Sequence, residues 1–200
     1  MKMSKKSPVY KLKDIAEIHS GISFRSELSS EEGGEAVLVQ MKNLGNLEVL
    51  DIGSSSRGFT KIKNSSFKPV IALRSGDLLF RSKGFNFTAA KVENSLFKVF
   101  PVAPLYLIRI NSDKVIPDYV LWLINHSETQ KYFNQMAKGT TIMMISRQIL
   151  EDMKLKIPNL KTQERIARIM ELYRKEKMLT ENLLVKKKIY LEAALMAKVQ

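Results

Sequence analysis

The sequence predicts an α+β fold: a globular domain over residues 1–161, built on a mixed, mostly antiparallel sheet of short strands, followed by one long coiled-coil helix over residues 162–200. Three observations carry that expectation. Residues 163–198 contain no Gly and no Pro. Within them Ile169, Leu172, Leu179, Leu183, Tyr190, Ala193 and Ala197 recur at three- and four-residue steps, with Glu176 and Lys186 the polar interruptions of the seam. Residues 36–110, by contrast, hold only short apolar runs separated by Gly-, Ser-, Asn- and Lys-rich turns, and clearly helical patterns return after Pro117.

Taken in order, Leu12, Ile15 and Ile18 have helical spacing, with Ser20 and Gly21 closing the element. Residues 27–35 are an acidic loop without pattern, expected to be solvated and mobile. Residues 36–41 form an apolar strand, followed by a turn at 43–46 and a Gly/Ser/Lys-rich stretch of loops and brief strands to Lys68. The apolar runs 70–73 and 78–80 flank Arg74-Ser75-Gly76-Asp77, a tight-turn sequence, and strand-like segments continue at 89–92, 96–99 and 102–110. Pro117-Asp118 opens a helix that runs from Tyr119 to Lys138 and stops at Gly139. A connector over 140–150 leads to a last strand at 153–157, Pro158-Asn159 breaks the chain, and Thr162 caps the rod. At about 1.5 Å per residue, residues 163–198 extend roughly 54 Å, longer than a small domain is wide, so the helix must project or pair.

Composition narrows the partners. The formal net charge is +13, which favours a polyanion such as nucleic acid. No uncharged apolar run approaches the ~20 residues of a membrane span, so no membrane role is expected. With no Cys, a disulfide framework and a thiolate zinc site are excluded, and a cytoplasmic protein is expected. Nine basic and five acidic residues lie in 162–200, leaving a net +9 for the globular domain. Residues 57–91 alone carry eight cations against Asp77.

That window supplies the candidate contacts. Arg57, Lys61 and Lys63 flank one loop, Arg81-Ser82-Lys83-Gly84-Phe85-Asn86-Phe87 forms a second directly after a strand, and Lys91 follows on the next strand. Arg and Asn edges can read bases bidentately, while Lys and Ser suit phosphates. Taken singly, each of these side chains fits a solvated basic face better, with Phe85 and Phe87 tucked into the core; as a group, eight cations against one acid favour nucleic acid. The turn Lys138-Gly139-Thr140-Thr141 could offer backbone N–H groups to a phosphate, although a helix C-cap glycine explains it as well.

Other chemistry has less support. There is no phosphate-binding loop, no dinucleotide fingerprint and no Asn-Pro-Pro-aromatic segment, and His19 and His126 stand without metal-ligand spacing. Asp118, Asp152 and Lys154 match the loose pattern of Mg²⁺-dependent PD-(D/E)xK-like nucleases, provided that Asp152 and Lys154 share one face of the last strand. A third reading is a basic coiled-coil adaptor for an acidic protein.

Several short motifs stand in a recognisable order: Leu12-Lys13-Asp14-Ile15 to Gly21, Leu73-Arg74-Ser75-Gly76-Asp77-Leu78-Leu79-Phe80, Pro117 to Trp122, Gly139-Thr140-Thr141, and the run from Leu155-Lys156-Ile157-Pro158-Asn159 through Gln163-Glu164-Arg165-Ile166-Ala167. In them the chain resembles one target-recognition domain plus one conserved-region helix of a type I restriction-modification specificity subunit. Asn159 and Thr162 stand where that family usually has Pro and Glu. The resemblance implies a non-catalytic reader of double-stranded DNA that binds one half of a bipartite site and docks modification subunits through its helix, with the restriction subunit as a further partner. It implies no cofactor on this chain, since S-adenosylmethionine and ATP would belong to the partner subunits. A homodimer through Ile169, Leu172, Leu179, Leu183 and Tyr190 would restore the two-unit layout of full-length members.

Overall fold

The computed structural model describes residues 7–25, 27–45, 48–52, 58–63, 67–95, 98–139 and 141–199. Arg57 lies outside them. In chain order the elements are β1 (Val9–Lys11), β2 (Ala16–Ser20), β3 (Ala36–Val39), α1 (Met41–Leu44), β4 (Val49–Asp51), β5 (Thr60–Ile62), β6 (Leu78–Arg81), β7 (Ala89–Asn94), β8 (Lys98–Pro101), β9 (Leu105–Ile110), α2 (Pro117–Asn125), α3 (Ser127–Met136), α4 (Arg147–Glu151), β10 (Lys154–Lys156) and α5 (Leu160–Met196).

Alternation along the strands sets the layers. On β6, Leu78 and Phe80 face one side and Leu79 the other, and all three are fully buried. A strand buried on both faces must be covered twice, and it is: the five-stranded sheet β2-β9-β6-β7-β4 carries helices on one face and the three-stranded sheet β5-β3-β8 on the other. Tyr119, Val120, Ile124, Phe133 and Leu150 pack against Phe80, Ala89 and Ile108. Val37, Val39 and Val99 meet Leu79, Ala90 and Leu107 in the layer between the sheets. Phe24, Leu28 and Phe67 cover the outer face of the small sheet over Ala36, Leu38 and Phe100. All strand pairs are antiparallel except β3 with β8 and β4 with β7, in accord with the expected α+β class.

Several local expectations are corrected. Residues 12–20 are not a helix. Leu12–Asp14 make one 3₁₀ turn, in which the backbone N–H of Lys11 donates to Asp14 Oδ2 at 2.8 Å, and Ala16–Ser20 then pair with β9. Ala16 and Ile18 are buried while Glu17 is exposed, a period of two that the Leu12/Ile15/Ile18 spacing disguised. The acidic loop is solvated as expected, and it is tethered at one point, where the backbone N–H groups of Lys61 and Lys63 donate to Ser30 Oγ and Glu31 Oε2 at 3.2 and 2.8 Å. Residues 69–71 are a 3₁₀ turn, not a strand. The strand from Ala36 ends at Val39, and Met41–Leu44 is a short helix. The helix expected over 119–138 is two, because His126 takes an extended backbone and its Nδ1 accepts the Glu128 N–H at 3.3 Å, capping α3.

The rod is capped by Asn159, whose Oδ1 accepts the Thr162 N–H at 2.9 Å, so Thr162 lies inside the first turn instead of before it. Asn and Thr both cap well, and the carbonyl of Asn sits one turn earlier in the chain. At about 1.5 Å per residue the 37 residues of α5 span about 55 Å. Gln163 is fully buried, Ile166, Met170 and Arg174 are half-buried, and every described residue from Lys175 onward is exposed.

Candidate nucleic-acid interface

The strand directions gather one set of loops at one end of the two-sheet sandwich. β3, β6 and β8 finish there, while β5, β7 and β9 begin there. Side chains then tie these loops together. The Arg81 guanidinium donates to the Gly45 carbonyl beyond α1, Asn43 Nδ2 donates to the Gly58 carbonyl at 2.8 Å, and Gln40 Nε2 donates to Thr60 Oγ1 at 2.9 Å. Ser82, buried, donates through Oγ to the Pro104 carbonyl at 2.6 Å. Gly21 belongs to the same end. A Cβ there would lie 2.7 Å from the Val102 carbonyl carbon, so only glycine permits this close approach.

Arg81, Lys83 and Asn86 therefore stand at this end, together with Gly58, which Asn43 holds. Lys61 and Lys63 lie outward on and just beyond the edge strand β5, while Thr60 and Ile62 are turned inward. Burial lowers the pKa of Arg81, and its Nε has no hydrogen-bond partner among the described residues. Lys83 and Asn86 are exposed. Lys91 is placed differently. Across the ladder it faces Leu78, toward the opposite end, and its ammonium is held by Asp118 at 2.7 and 2.9 Å.

The rod base extends that second, charge-paired region. Arg174 lies 3.5 Å from Glu48 and 3.7 Å from Asp118, so the carboxylate of α2 joins β7 to α5. A groove of about 890 Å³ runs between the rod and the edge of the five-stranded sheet, with Lys91, Asp118, Tyr173, Arg174 and Met178 among its walls. Deeper in the domain, Asp77 is buried. Its carboxylate accepts two bonds from Arg109 at 2.9 and 2.6 Å and one from the Arg74 N–H at 2.7 Å, and Arg109 also donates to the carbonyls of Val70 and Ala72. The Asp77 bonds raise the pKa of Arg109. The one acid of the basic window is therefore spent on a cation outside it.

The nuclease pattern does not assemble. Asp152 is the C-cap of α4 instead of a strand residue, and Lys11 and Lys13 bind one of its oxygens at 2.8 and 3.0 Å, holding its pKa down. Asp118 is occupied by Lys91. No group of three or more His, Asp or Glu side chains able to hold a metal occurs among the described residues. His126 caps α3 against the Trp122 ring, and His19 lies 3.4 Å from Glu17.

With this geometry in hand, comparison with known proteins is decisive about kinship. The family described as type I restriction modification DNA specificity domain matches residues 4–188. The chain belongs to that family. The type I restriction enzyme MjaIX specificity subunit of Methanocaldococcus jannaschii is 23% identical over 174 residues, covering 86% of this chain and 39% of that protein. A chain from a structure concerning complex assembly and conformational transition of the type I R-M system superposes with a TM-score of 0.66 at 15% identity, over 96% of this chain and 44% of that one. The HsdS subunit from Thermoanaerobacter tengcongensis gives 0.59 at 14% identity, over 88% and 39%. The present chain thus spans about two-fifths of the length of the proteins it matches. Like them it pairs a mixed sheet domain with a long helix, and no helix among the described residues is long and apolar enough to cross a membrane.

The family frame gives the segment through Gln163 a physical role. Its Oε1 accepts the Ile116 N–H at 3.0 Å, and its Nε2 donates to the carbonyls of Lys114 and Pro158 at 2.9 and 2.8 Å. One amide thereby fixes the first turn of the rod to the start of α2. Nothing in the spacing of the sequence marks Gln163 as buried, because its three partners are backbone groups that only the fold brings near. Three exposed residues of the loop end, Lys42, Phe85 and Lys138, also lay outside the expected contact set. Lys42 and Lys138 fall beyond the basic window, and the sequence leaves Phe85 open between the contact loop and the core.

Proposed function

We propose that this chain is a non-catalytic reader of double-stranded DNA in a type I restriction-modification system, taking one half-site per domain. Family membership supports the class of activity, and one observation supports the location: Arg81 is a desolvated cation without a carboxylate partner among the described residues, amid exposed Lys42, Lys83 and Lys138. A polyanion would offset that charge. The contact set is Arg57, Lys61, Lys63, Arg81, Lys83 and Asn86; Lys91 contributes less, because Asp118 already offsets it.

The rod serves to pair and to space. Ile169, Leu172, Leu179, Leu183 and Tyr190 are between 50 and 73% exposed, which leaves the seam open for a second copy, and the groove beside the rod base is available to a modification subunit. The free stretch from Lys175 to Met196 spans about 33 Å, close to the roughly 34 Å of one DNA turn, so paired rods would set two inverted half-sites about one to one and a half turns apart. S-adenosylmethionine and ATP belong to the partner subunits, and the complex works in the cytoplasm with its restriction subunit.

The test is DNA binding by the chain assembled with its modification subunit. Replacing Arg81, Lys83 and Asn86 one at a time by Ala should erode sequence preference, and affinity of the native complex should fall steeply with salt. Undiminished preference in all three variants would remove the loop end from the interface. Sedimentation of the isolated chain checks the rod: a strict monomer at micromolar concentration is incompatible with self-pairing.

A further inference from the structure

The loop end carries an apolar feature that cation counting does not anticipate. Phe85 is 80% exposed, and Ile142 and Met144 are each 48% exposed. They are neighbours: Lys83 and Met144 form an antiparallel bridge, the Gly84 N–H donates to the Met143 carbonyl at 3.0 Å, and the Ile145 N–H donates to the Ser82 carbonyl at 2.8 Å. Residues 83–85 thus run alongside 142–144. The second loop is closed on itself by reciprocal Lys138–Met144 backbone bonds of 3.1 and 2.9 Å. A Cβ on Gly139 would meet the Ile142 carbonyl oxygen at 2.3 Å, so the tight return needs glycine and is no helix C-cap, since α3 has already ended at Met136.

The first loop is anchored just as firmly. The Arg81 N–H donates to the Thr88 carbonyl at 3.0 Å, Gln130 Nε2 donates to the Phe87 carbonyl at 3.0 Å, and Phe87 is buried against Phe133. Between these anchors Phe85 has no packing role of its own. An exposed aromatic held on a fixed loop pair, beside two further exposed apolar side chains, calls for a ligand with an apolar surface. The surroundings select the ligand. Residues 81–88 and 137–147 contain Arg81, Lys83 and Lys138 and no Asp or Glu, while Arg147 at the far end is paired to Glu151 at 2.6 Å and does not count with them. Apolar tips ringed by cations suit duplex DNA, where a wedge can enter a base step while ammonium groups hold the flanking phosphates.

We propose that Phe85, backed by Ile142 and Met144, is a wedge that inserts at one base-pair step of the half-site and reads it through the ease of unstacking. Pyrimidine–purine steps, which open most readily, are its preferred target. This rests on the DNA-reading function proposed above.

The experiment uses the full chain assembled with its modification subunit, and a duplex selected by that complex from a random-sequence pool. 2-Aminopurine replaces each adenine of the selected duplex in turn. The native complex should brighten the probe at one step. Phe85→Ala should abolish the brightening and weaken binding to the selected duplex at least tenfold, while binding to random-sequence duplex changes less than twofold. Phe85→Leu, still a wedge, should retain most of both signals, and Ile142→Ser should weaken them less than Phe85→Ala. Selection intact with Phe85→Ala indistinguishable from native would overturn the wedge and leave the DNA-reading function standing. No selection by the native complex would overturn both. Failure of Phe85→Ala to co-elute with the modification subunit would make the patch a protein contact and overturn the wedge.

Discussion

The cations of this domain fall into two populations. Toward the rod and within the core, Arg109, Lys91 and Arg174 are held by Asp77, Asp118 and Glu48 at 2.6, 2.7 and 3.5 Å. At the loop end, Arg81, Lys83, Lys42 and Lys138 have no carboxylate partner among the described residues. The formal charge of the window, eight cations against one acid, does not distinguish Lys91 from Arg81 and Lys83. Pairing does: the first population joins strands and helices to one another, and the second is left for something outside the chain. The sharpest way to break this comparison is to remove partners on each side and ask whether folding or binding responds.

The largest expected effect is on the paired side. Asp77→Ala strands Arg109 in a nearly buried site, and the Arg74 N–H loses its acceptor at the same time. Removing one partner of such a pair costs about 3 to 5 kcal/mol, read as a fall in the urea midpoint with an unchanged slope. A loss below about 1 kcal/mol would mean that water already screens the pair.

Gln163→Ala comes next. It deprives the Ile116 N–H and the Lys114 and Pro158 carbonyls of their partner, at about 1 to 3 kcal/mol for the unsatisfied groups. Water entering the vacated space would reduce this. Because the amide joins the rod to α2, amide hydrogen exchange should quicken first at residues 160–170 and 114–120. Uniform acceleration across the whole domain would deny Gln163 its local role.

Much of this architecture was legible beforehand, and the gaps have physical causes. The rod was legible because a seam repeating every three or four residues from Ile169 to Ala197, about eight turns, has no competing reading, and the sheet class because β6 and its neighbours are short apolar runs between turn residues. Residues 12–20 misled because Leu12, Ile15 and Ile18 sit at i, i+3 and i+6, which one 3₁₀ turn followed by a two-residue alternation also produces. The split at His126 was hidden because Asn125 gives its side chain to the backbone of Ala89, a contact 36 residues away. In the candidate site, the loop of Arg81, Lys83 and Asn86 could be found by charge and turn chemistry. That Lys91 is neutralised, that Asp77 serves Arg109 and that Phe85 is outside while Phe87 is inside all depend on long-range contacts no local pattern encodes.

A matched pair of substitutions then separates the two populations directly. Lys91→Ala breaks a partly buried ion pair and should cost about 1 to 2 kcal/mol of stability, with a small change in DNA affinity. Lys83→Ala should leave stability within about 0.5 kcal/mol but lower the slope of log affinity against log salt by about one. Equal salt slopes for the two variants would erase the distinction.

The smallest effect lies on the exposed rod, where ion pairs run along one helix. Lys175 and Arg168 donate to Glu171 at 2.6 and 2.8 Å and lower its pKa to about 2. A carboxylate with a depressed folded-state pKa contributes stability that is complete above its unfolded value near 4.5 and is lost as pH falls toward 2. The thermal midpoint of the helical signal at 222 nm, compared with Glu171→Gln at each pH, should therefore show a constant gap between pH 5 and 7 that closes between pH 4.5 and 2. Because these side chains are solvated, 1 M salt should shrink the gap at every pH. A gap that widened in acid would reverse the sign, and would mean that protonated Glu171 is the form the rod prefers.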